Sequence, residues 1–421
     1  MTVDTSPGRP FVAYAMQRFP SLRTTFIRRE IEAIRAEGVA ISTYSMRPAD
    51  LAELQNEQQA TPFLTTTGYL PDWPLGRTSL NANLRFLIHR PWRYLGSWRL
   101  LLANPGQPGL TSRLRVALQI WRGAVLADEL NRTGHCRHIH AQFADGAATT
   151  AMVAARLLVL PFSFTSHTSE APPALAEKLA AARFVVSISD YDKQQLISIG
   201  GKTIADKVTV VHCGIPLDQW PYRPRQPDDT PHLLSVGALI ATKGHDTLIE
   251  ACARLKAAGY RFRATIVGGG QLQDHLQQLI DSRGLTGQVT LTGPLPQAET
   301  RHYLYQADLF VLACRPARHG SEGIPVSLME AMAAGLTTVS TRLSGIPELI
   351  SHDRTGYLAE PGDSDSLFRQ LVAALECPDR TALLTAARQR IELHFNQQTE
   401  AARLAVLYRS VLTPVCDGPD R

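Results

Sequence analysis

Apolar positions in the first half of the chain come in two alternating rhythms. The runs "PFVAYAMQRF" and "VAISTYSM" are continuous and rich in β-branched and aromatic residues, while "TTFIRREIEAIRAEG" between them repeats apolar residues at Phe26, Ile27, Ile31 and Ile34 before Gly38. A continuous run reads as a strand and the spaced repeat as a helix ended by glycine. The alternation continues through "HIHAQF", "ATTAMVAARLL", "PFSFTSH", "LAEKLAAA" and "RFVVSIS", then restarts from Lys207 with "KVTVVHCG", "PHLLSVGAL", "DTLIEACARLKAAG", "RFRATIVGGG", "QLQDHLQQLIDSRG", "QVTLTG", "LFVLAC", "SLMEAMAAG" and "TTVST". Strand–helix alternation builds a parallel sheet covered on both faces. The chain therefore reads as α/β, with two doubly wound halves joined near the proline-dotted stretch "GIPLDQWPYRPRQPDDTP".

Length supports two halves, because 421 residues exceed what one core usually serves. A last helical pattern, "QQTEAARLAVLYRSVL", carries an apolar face of Ala402, Leu404, Ala405, Leu407, Tyr408 and Leu412. Pattern alone leaves open whether it caps the second half or packs back on the first.

Composition narrows the class. The cysteines at 136, 213, 252, 314, 377 and 416 are too scattered for a disulfide framework or a metal-ligand pair, and read as free thiols in a reducing compartment. No apolar run reaches the roughly 18 to 20 residues of a spanning helix, and "MTVDTSPGRP" lacks a signal core, so a cytoplasmic protein, soluble or attached to a membrane surface, is expected. The net charge of +5 is too small to imply nucleic acid. Its distribution is uneven: residues 73–127 contain no Asp or Glu, yet hold Arg77, Arg85, Arg90, Arg93, Arg99, Arg113, Arg115 and Arg122 among Trp92, Tyr94, Trp98 and Trp121. This stretch reads either as an anionic-membrane contact or as a packed insertion with its arginines in water.

Chemistry is expected where strands open into glycine turns. "VGALIATKGHD" supplies Gly237, Lys243 and Gly244; "VGGGQL" supplies three glycines; and "SEGIPVSLME" supplies Glu322, Gly323 and a helix start. None is the Gly-x-Gly-x-x-Gly dinucleotide fingerprint, which speaks against a nicotinamide enzyme. A helix starting near Val326 offers the N–H groups of Val326, Ser327 and Leu328 to an anion, Pro325 having none, and Lys243 adds a full charge. Glu322 precedes that helix, and Glu330 lies about 6 Å along its axis at ~1.5 Å per residue. Glu330 is flanked by Leu328, Met329, Ala331, Met332 and Ala333, so it is expected to be enclosed and to need partners. Two hydrogen-bonding carboxylates flanking a diphosphate site describe a nucleotide sugar.

These stretches, in order from Val211 to Asp363, resemble glycosyltransferase family 4, retaining enzymes of the GT-B fold. The first half, through "RFPSLRTTFIRREIEAIRAEG", "HIHAQFADGAATTAMVAARLLVLPFSFTSH" and "FVVSISDYDKQQL", is similar to the bacterial branch that builds exopolysaccharides, including the colanic-acid type. The resemblance implies an acceptor domain at 1–205 with a basic aromatic insertion at about 73–127, a donor domain at 206–395, and a final helix at 396–415 crossing back to the first domain. It implies that His167, Glu322 and Lys243 are catalytic, with Glu322 facing the donor sugar and Lys243 pairing with the diphosphate. Glu330 would hold the ribose, Gly237 and the backbone of Gly323, Ile324, Pro325, Val326 and Ser327 would cradle phosphate, and Gly293, Pro294 and Leu295 would lie near the base. Phe19, Pro20, Arg23, Thr24 and Thr25 would close the opposite wall, joined by His140, itself read as mainly structural.

The chain departs from the family in three places. Ala238 stands where many members carry arginine, Arg23 and Thr24 replace a Ser-Glu pair, and the acid expected after "FTSH" is displaced, with Glu170 nearest. No Asp-x-Asp lies at the site; "DSDS" at 363–366 reads as a helix cap. The expected reaction is metal-independent, cofactor-free transfer of a hexose from a nucleotide diphosphate sugar to a lipid-linked saccharide, with front-face attack and retention. A nucleotide-sugar epimerase or hydrolase and a non-catalytic sugar-nucleotide binding protein are the rivals.

Overall fold

The computed structural model describes residues 9–21, 24–51, 54, 58–71, 76–102, 110–167, 172–225, 229–317 and 321–412. The first sheet contains β1 (Phe11–Met16), β2 (Ile41–Ser45), β3 (Gly68–Tyr69), β4 (Cys136–Gln142), β5 (Phe162–Ser166), β6 (Phe184–Ser187) and β7 (Val208–Val210), in the order β3-β2-β1-β4-β5-β6-β7. The second contains β8 (His232–Val236), β9 (Arg263–Val267), β10 (Val289–Gly293), β11 (Leu309–Val311), β12 (Thr337–Thr341) and β13 (Tyr357–Ala359), in the order β10-β9-β8-β11-β12-β13. Every pairing is parallel. Each sheet grows one way from its first strand and then reverses, between β1 and β4 in one and between β8 and β11 in the other. Ligands bind at the carboxyl ends of strands beside such reversals.

Helices on both faces explain the continuous apolar runs, since a central parallel strand is buried on both sides. One face of the first sheet packs Ile139, Ala141 and Phe164 against Ala82, Phe86, Tyr94, Val116 and Ile120, so the basic aromatic stretch is a helical insertion with a buried inner side. The other face packs Val12, Tyr14, Phe184 and Val186 against Ile27 and Ile31 of the helix Thr25–Ala36 and against Ala401, Leu404, Ala405 and Tyr408. The last helix, Gln397–Leu412, thus lies on the first domain. It crosses beside the outgoing linker, where a Cβ on Gly214 would stand 2.5 Å from the Cα of Gln397, so only glycine permits the approach.

The expected domain boundary at 205/206 needs correction. Val208–Val210 pairs with β6 and forms the edge of the first sheet, so the first domain runs past it. A strand of three residues carries no pattern that tells which sheet it will join.

Candidate active site

The second-domain wall is built by the turn after β8 and the segment after β11. The stem of Lys243 lies over Gly237, where a Cβ would meet its Cδ at 3.3 Å. That packing aims the ammonium at Glu322, with Nζ 2.9 Å from Oε2, while the Thr242 hydroxyl donates to Oε1 at 3.0 Å. The helix Val326–Ala334 follows, entered from Pro325, whose side chain makes no capping hydrogen bond. Its Leu328 N–H bonds back to the Pro325 carbonyl at 3.1 Å, so of the three expected anion-binding amides only those of Val326 and Ser327 are left. Both residues are partly open to solvent. The Ser327 hydroxyl donates to the Val236 carbonyl at 3.2 Å, tying the helix start to β8.

Glu330 is enclosed, its side chain 15% exposed, and its Oε1 stands 3.6 Å from Nη1 of Arg29 in the first domain. Burial raises its carboxyl from 4.5 to about 7, against the opposing pull of Arg29 and, more weakly, Arg301. The two domains therefore meet at a carboxylate that is half ionised near neutrality.

The first-domain wall centres on His167, just past β5. Its Nε2 lies 2.8 Å from the Gln142 carboxamide oxygen, and its Nδ1 lies 3.9 Å from Sγ of Cys213. An amide oxygen only accepts, so this network puts the ring proton on Nε2. Burial drives the imidazole down to about 3, which keeps it neutral through the physiological range. The Gln142 amide donates to Glu30 at 2.6 Å, Tyr14 donates to the same oxygen at 3.1 Å, and the Tyr14 and Tyr408 hydroxyls meet at 2.7 Å. Burial lifts Glu30 to about 7, although these hydrogen bonds pull the other way. A buried polar chain thus runs from the last helix to the histidine.

The walls come together in one cavity lined by His167, Ile188, Ser189, Tyr191, Asp192, Glu322, Gly323 and Ser344. A Cβ on Gly323 would stand 2.9 Å from Cδ1 of Ile188 and 3.4 Å from the His167 carbonyl oxygen, so that glycine lets the two loops touch. Asp192 is occupied by hydroxyls, Ser166 at 3.0 Å and Ser187 at 2.7 Å; burial raises it to about 6. Beyond the cavity, Glu348 of the second domain accepts the N–H groups of Asp190 and Tyr191, at 2.8 and 2.7 Å, where the helix Asp190–Gly200 begins. Burial opposes its charge, but His212 and these two N–H groups outweigh it and hold the carboxyl below its usual range.

Of the residues singled out from sequence, Gly237, Lys243, Glu322, Gly323, Ile324, Pro325, Val326, Ser327 and Glu330 share the second-domain wall. Gly293, Pro294 and Leu295 follow at the end of β10, next to the same wall: the Gly268 N–H donates to the Gly293 carbonyl at 3.0 Å while Gly268 abuts the Gly237 carbonyl, and a Cβ on Gly269 would be 3.3 Å from Cδ of Pro294. Two assignments to the opposite wall are corrected. His140 is fully buried with Nδ1 on Ser163 at 2.7 Å and Nε2 on Thr165 at 3.0 Å, and Phe19 packs edge-on against Phe63 in the core, its N–H donated to Ser45. Pro20 is buried beside Phe19. Thr24 forms a turn with Ser21, and Thr25 opens the first helix. Arg23 and Glu170 lie outside the described residues. Sequence reasoning missed Arg29, Glu30, Gln142, Thr242 and Glu348; the polar run "RRE" on an otherwise amphipathic helix was the available signal for the first two. Asp363 does cap its helix, accepting from the N–H groups of Asp365 and Ser366. Among the described residues, no helix is long and apolar enough to cross a membrane.

Two doubly wound parallel sheets facing each other across a cleft, with the last helix returned to the first, are the GT-B arrangement. A crystal structure of HepE from Anabaena in complex with UDP has the same fold, with a TM-score of 0.69 and 17% identity over 95% of this chain and 100% of that one. Residues 218–390 match the family model described as "Glycosyl transferases group 1". Over those residues the chain is similar to this glycosyltransferase family. It is 38% identical over 242 residues to the amylovoran biosynthesis glycosyltransferase AmsK of Erwinia amylovora, a match that spans 57% of this chain and 58% of that relative. WcaL of Escherichia coli (strain K12), whose name assigns it to colanic acid biosynthesis as a glycosyltransferase, is 29% identical over 420 residues, covering 95% of this chain and all of that one.

Proposed function

We propose that the protein transfers a hexose from a nucleoside diphosphate sugar to a hydroxyl of a lipid-linked saccharide during cell-surface polysaccharide synthesis, with retention and without a metal ion. The observation that carries this reading is the Lys243–Glu322 pair at a helix start, facing His167 across one cavity. The ribose diol would donate to Glu330. The diphosphate would sit on the Val326 and Ser327 amides and take Lys243 from Glu322, freeing that carboxylate to orient sugar hydroxyls. As the anomeric C–O bond breaks, charge builds on the phosphate oxygen, and the ammonium and amides stabilise it where it forms.

The acceptor hydroxyl would attack from the face the phosphate leaves, its oxygen bonding to the anomeric carbon while its proton passes to the departing phosphate oxygen. Two features favour this route over a covalent glycosyl intermediate. Asp192, the carboxylate on the first-domain side of the cavity, already has its oxygens on Ser166 and Ser187. His167 has both ring nitrogens engaged and a depressed basicity, so it suits shaping the wall and not taking the proton. Labelled UDP- and GDP-sugars, incubated with and without a saccharide acceptor and followed by NMR of the anomeric proton, test the proposal. Retained configuration in a larger glycan supports it; an epimerised or hydrolysed sugar as the main product without acceptor favours the rival enzyme class.

A further inference from the structure

The helical insertion has a second apolar side that the fold does not use. In the helix Arg77–His89, Ser79, Ala82, Asn83 and Phe86 face the core, while Leu80, Leu84, Leu87 and Ile88 form a stripe at helical spacing that is left exposed. On the elements that follow, Trp92, which is 85% exposed, and Leu95, then Leu102 at 81%, Leu110 at 73% and Leu114 are exposed as well. Large exposed apolar side chains are concentrated here, and a patch of this kind marks an interaction surface. Arg77, Arg93, Arg99, Arg113 and Arg115 are exposed among them, with no ion pair to a described residue, and no acid interrupts 73–127.

The insertion is rigidly held. The Tyr94 hydroxyl donates to Asn83 at 2.8 Å, Arg90 reaches the Leu157 carbonyl, and Arg156 donates to the Gly96 carbonyl at 3.1 Å. Its exposed side is therefore a fixed surface. The helix Leu110–Thr133 passes Gly146 at Gln119, where a Cβ on that glycine would stand 2.5 Å from Nε2 of Gln119. Gly146 starts the helix that follows the carboxyl end of β4, so Leu110 to Gln119 projects about 13 Å past it, at ~1.5 Å per residue, on the cleft side.

We infer that this face docks on an anionic lipid bilayer, with the leucine stripe and Trp92 entering the interface and the arginines meeting the headgroups. The combination of apolar side chains with positive charge that no described residue pairs fits that partner better than a second copy of this chain, whose matching face would carry the same charge. The inference extends the acceptor reading by placing the cleft mouth beside the bilayer, and its test does not depend on catalysis.

Full-length protein is sedimented with vesicles of phosphatidylcholine alone and of equal parts phosphatidylcholine and phosphatidylglycerol. Binding is expected only to the latter and should weaken with salt. Arg93→Glu with Arg113→Glu should weaken it at least fivefold per site, and Leu84→Ser with Trp92→Ser at least tenfold, each pair leaving thermal unfolding and nucleotide binding unchanged. Equal binding to neutral vesicles, no binding at low salt, or a lipid-free dimer that the Leu84 and Trp92 changes dissolve would overturn the inference. Loss of vesicle binding with transfer to a soluble saccharide retained would leave the proposed function standing.

Discussion

Glu330 gives the reading a pH signature. In the donor-free protein its carboxyl titrates at about 7, chiefly because burial penalises the charge. Accepting two ribose hydroxyls requires the ionised form. The carboxyl is about one-tenth ionised at pH ~6 and about nine-tenths at pH ~8, so nucleoside diphosphate affinity should rise about tenfold across that interval, or ~1.4 kcal/mol. The free phosphate of the nucleotide titrates in the same range, and Glu330→Gln provides the correction: its affinity curve carries the ligand's titration alone. Arg29→Ala removes the charge that holds the carboxyl down, so the midpoint should move to higher pH. A stability effect accompanies this. The folded carboxyl, at about 7, lies above the 4.5 of an ordinary glutamate, so the stabilisation is complete below the lower value and is lost as pH rises through the upper. Ionising it in place costs about 3 kcal/mol, and Glu330→Gln should therefore be the more stable protein at pH ~8 but not at pH ~5. Calorimetric titration with UDP and GDP at both ends reads the affinity. Parallel curves for the wild type and Glu330→Gln would refute the ribose assignment.

Three further outcomes are expected. Glu322→Ala should slow transfer about tenfold to a hundredfold, the ~1.5 to 3 kcal/mol of a charged hydrogen bond, while nucleotide affinity stays near wild type; the opposite split in steady-state and binding assays would exchange the roles of the two glutamates. Transfer should survive an excess of EDTA, since the leaving charge is assigned to Lys243 and two amides, and a complete loss rescued by magnesium or manganese would contradict that assignment. Tyr408→Phe removes one end of the buried chain through Tyr14 and Glu30 and should lower stability by about 1 kcal/mol in urea unfolding; an unchanged midpoint would show that the hydroxyl pair adds nothing to docking of the last helix.

What could be read in the sequence follows the locality of the interactions. Lys243 and Glu322 lie on two strand-to-helix connections of one sheet and Glu330 on the helix that follows the second, and the strand order that brings those connections together is implied by the alternation itself. The opposite wall depends on how two domains dock, which no local pattern encodes. Arg29 sits on the polar side of an amphipathic helix, where a solvated charge is the ordinary expectation, yet that side faces the other domain and Glu330. Gln142 ends a buried strand, and its importance appears only once β4 and β5 are adjacent and His167 needs an acceptor. For His140 the structural reading holds and the place on the wall does not, because Ser163 and Thr165 on the neighbouring strand satisfy it internally. The basic insertion was visible by composition, but its unused apolar stripe required knowing which side of the helix the core takes.

The proposed function requires the cleft to hold a nucleotide sugar between Glu330, the helix start and Glu322. A crystal structure of the full chain with a bound nucleoside diphosphate tests it most directly. Ribose hydroxyls are expected on Glu330, phosphate oxygens on the Val326 and Ser327 amides, and Lys243 drawn from Glu322 onto the diphosphate. A nucleotide bound elsewhere, or bound here with Lys243 still on Glu322 and the ribose turned away from Glu330, would contradict it.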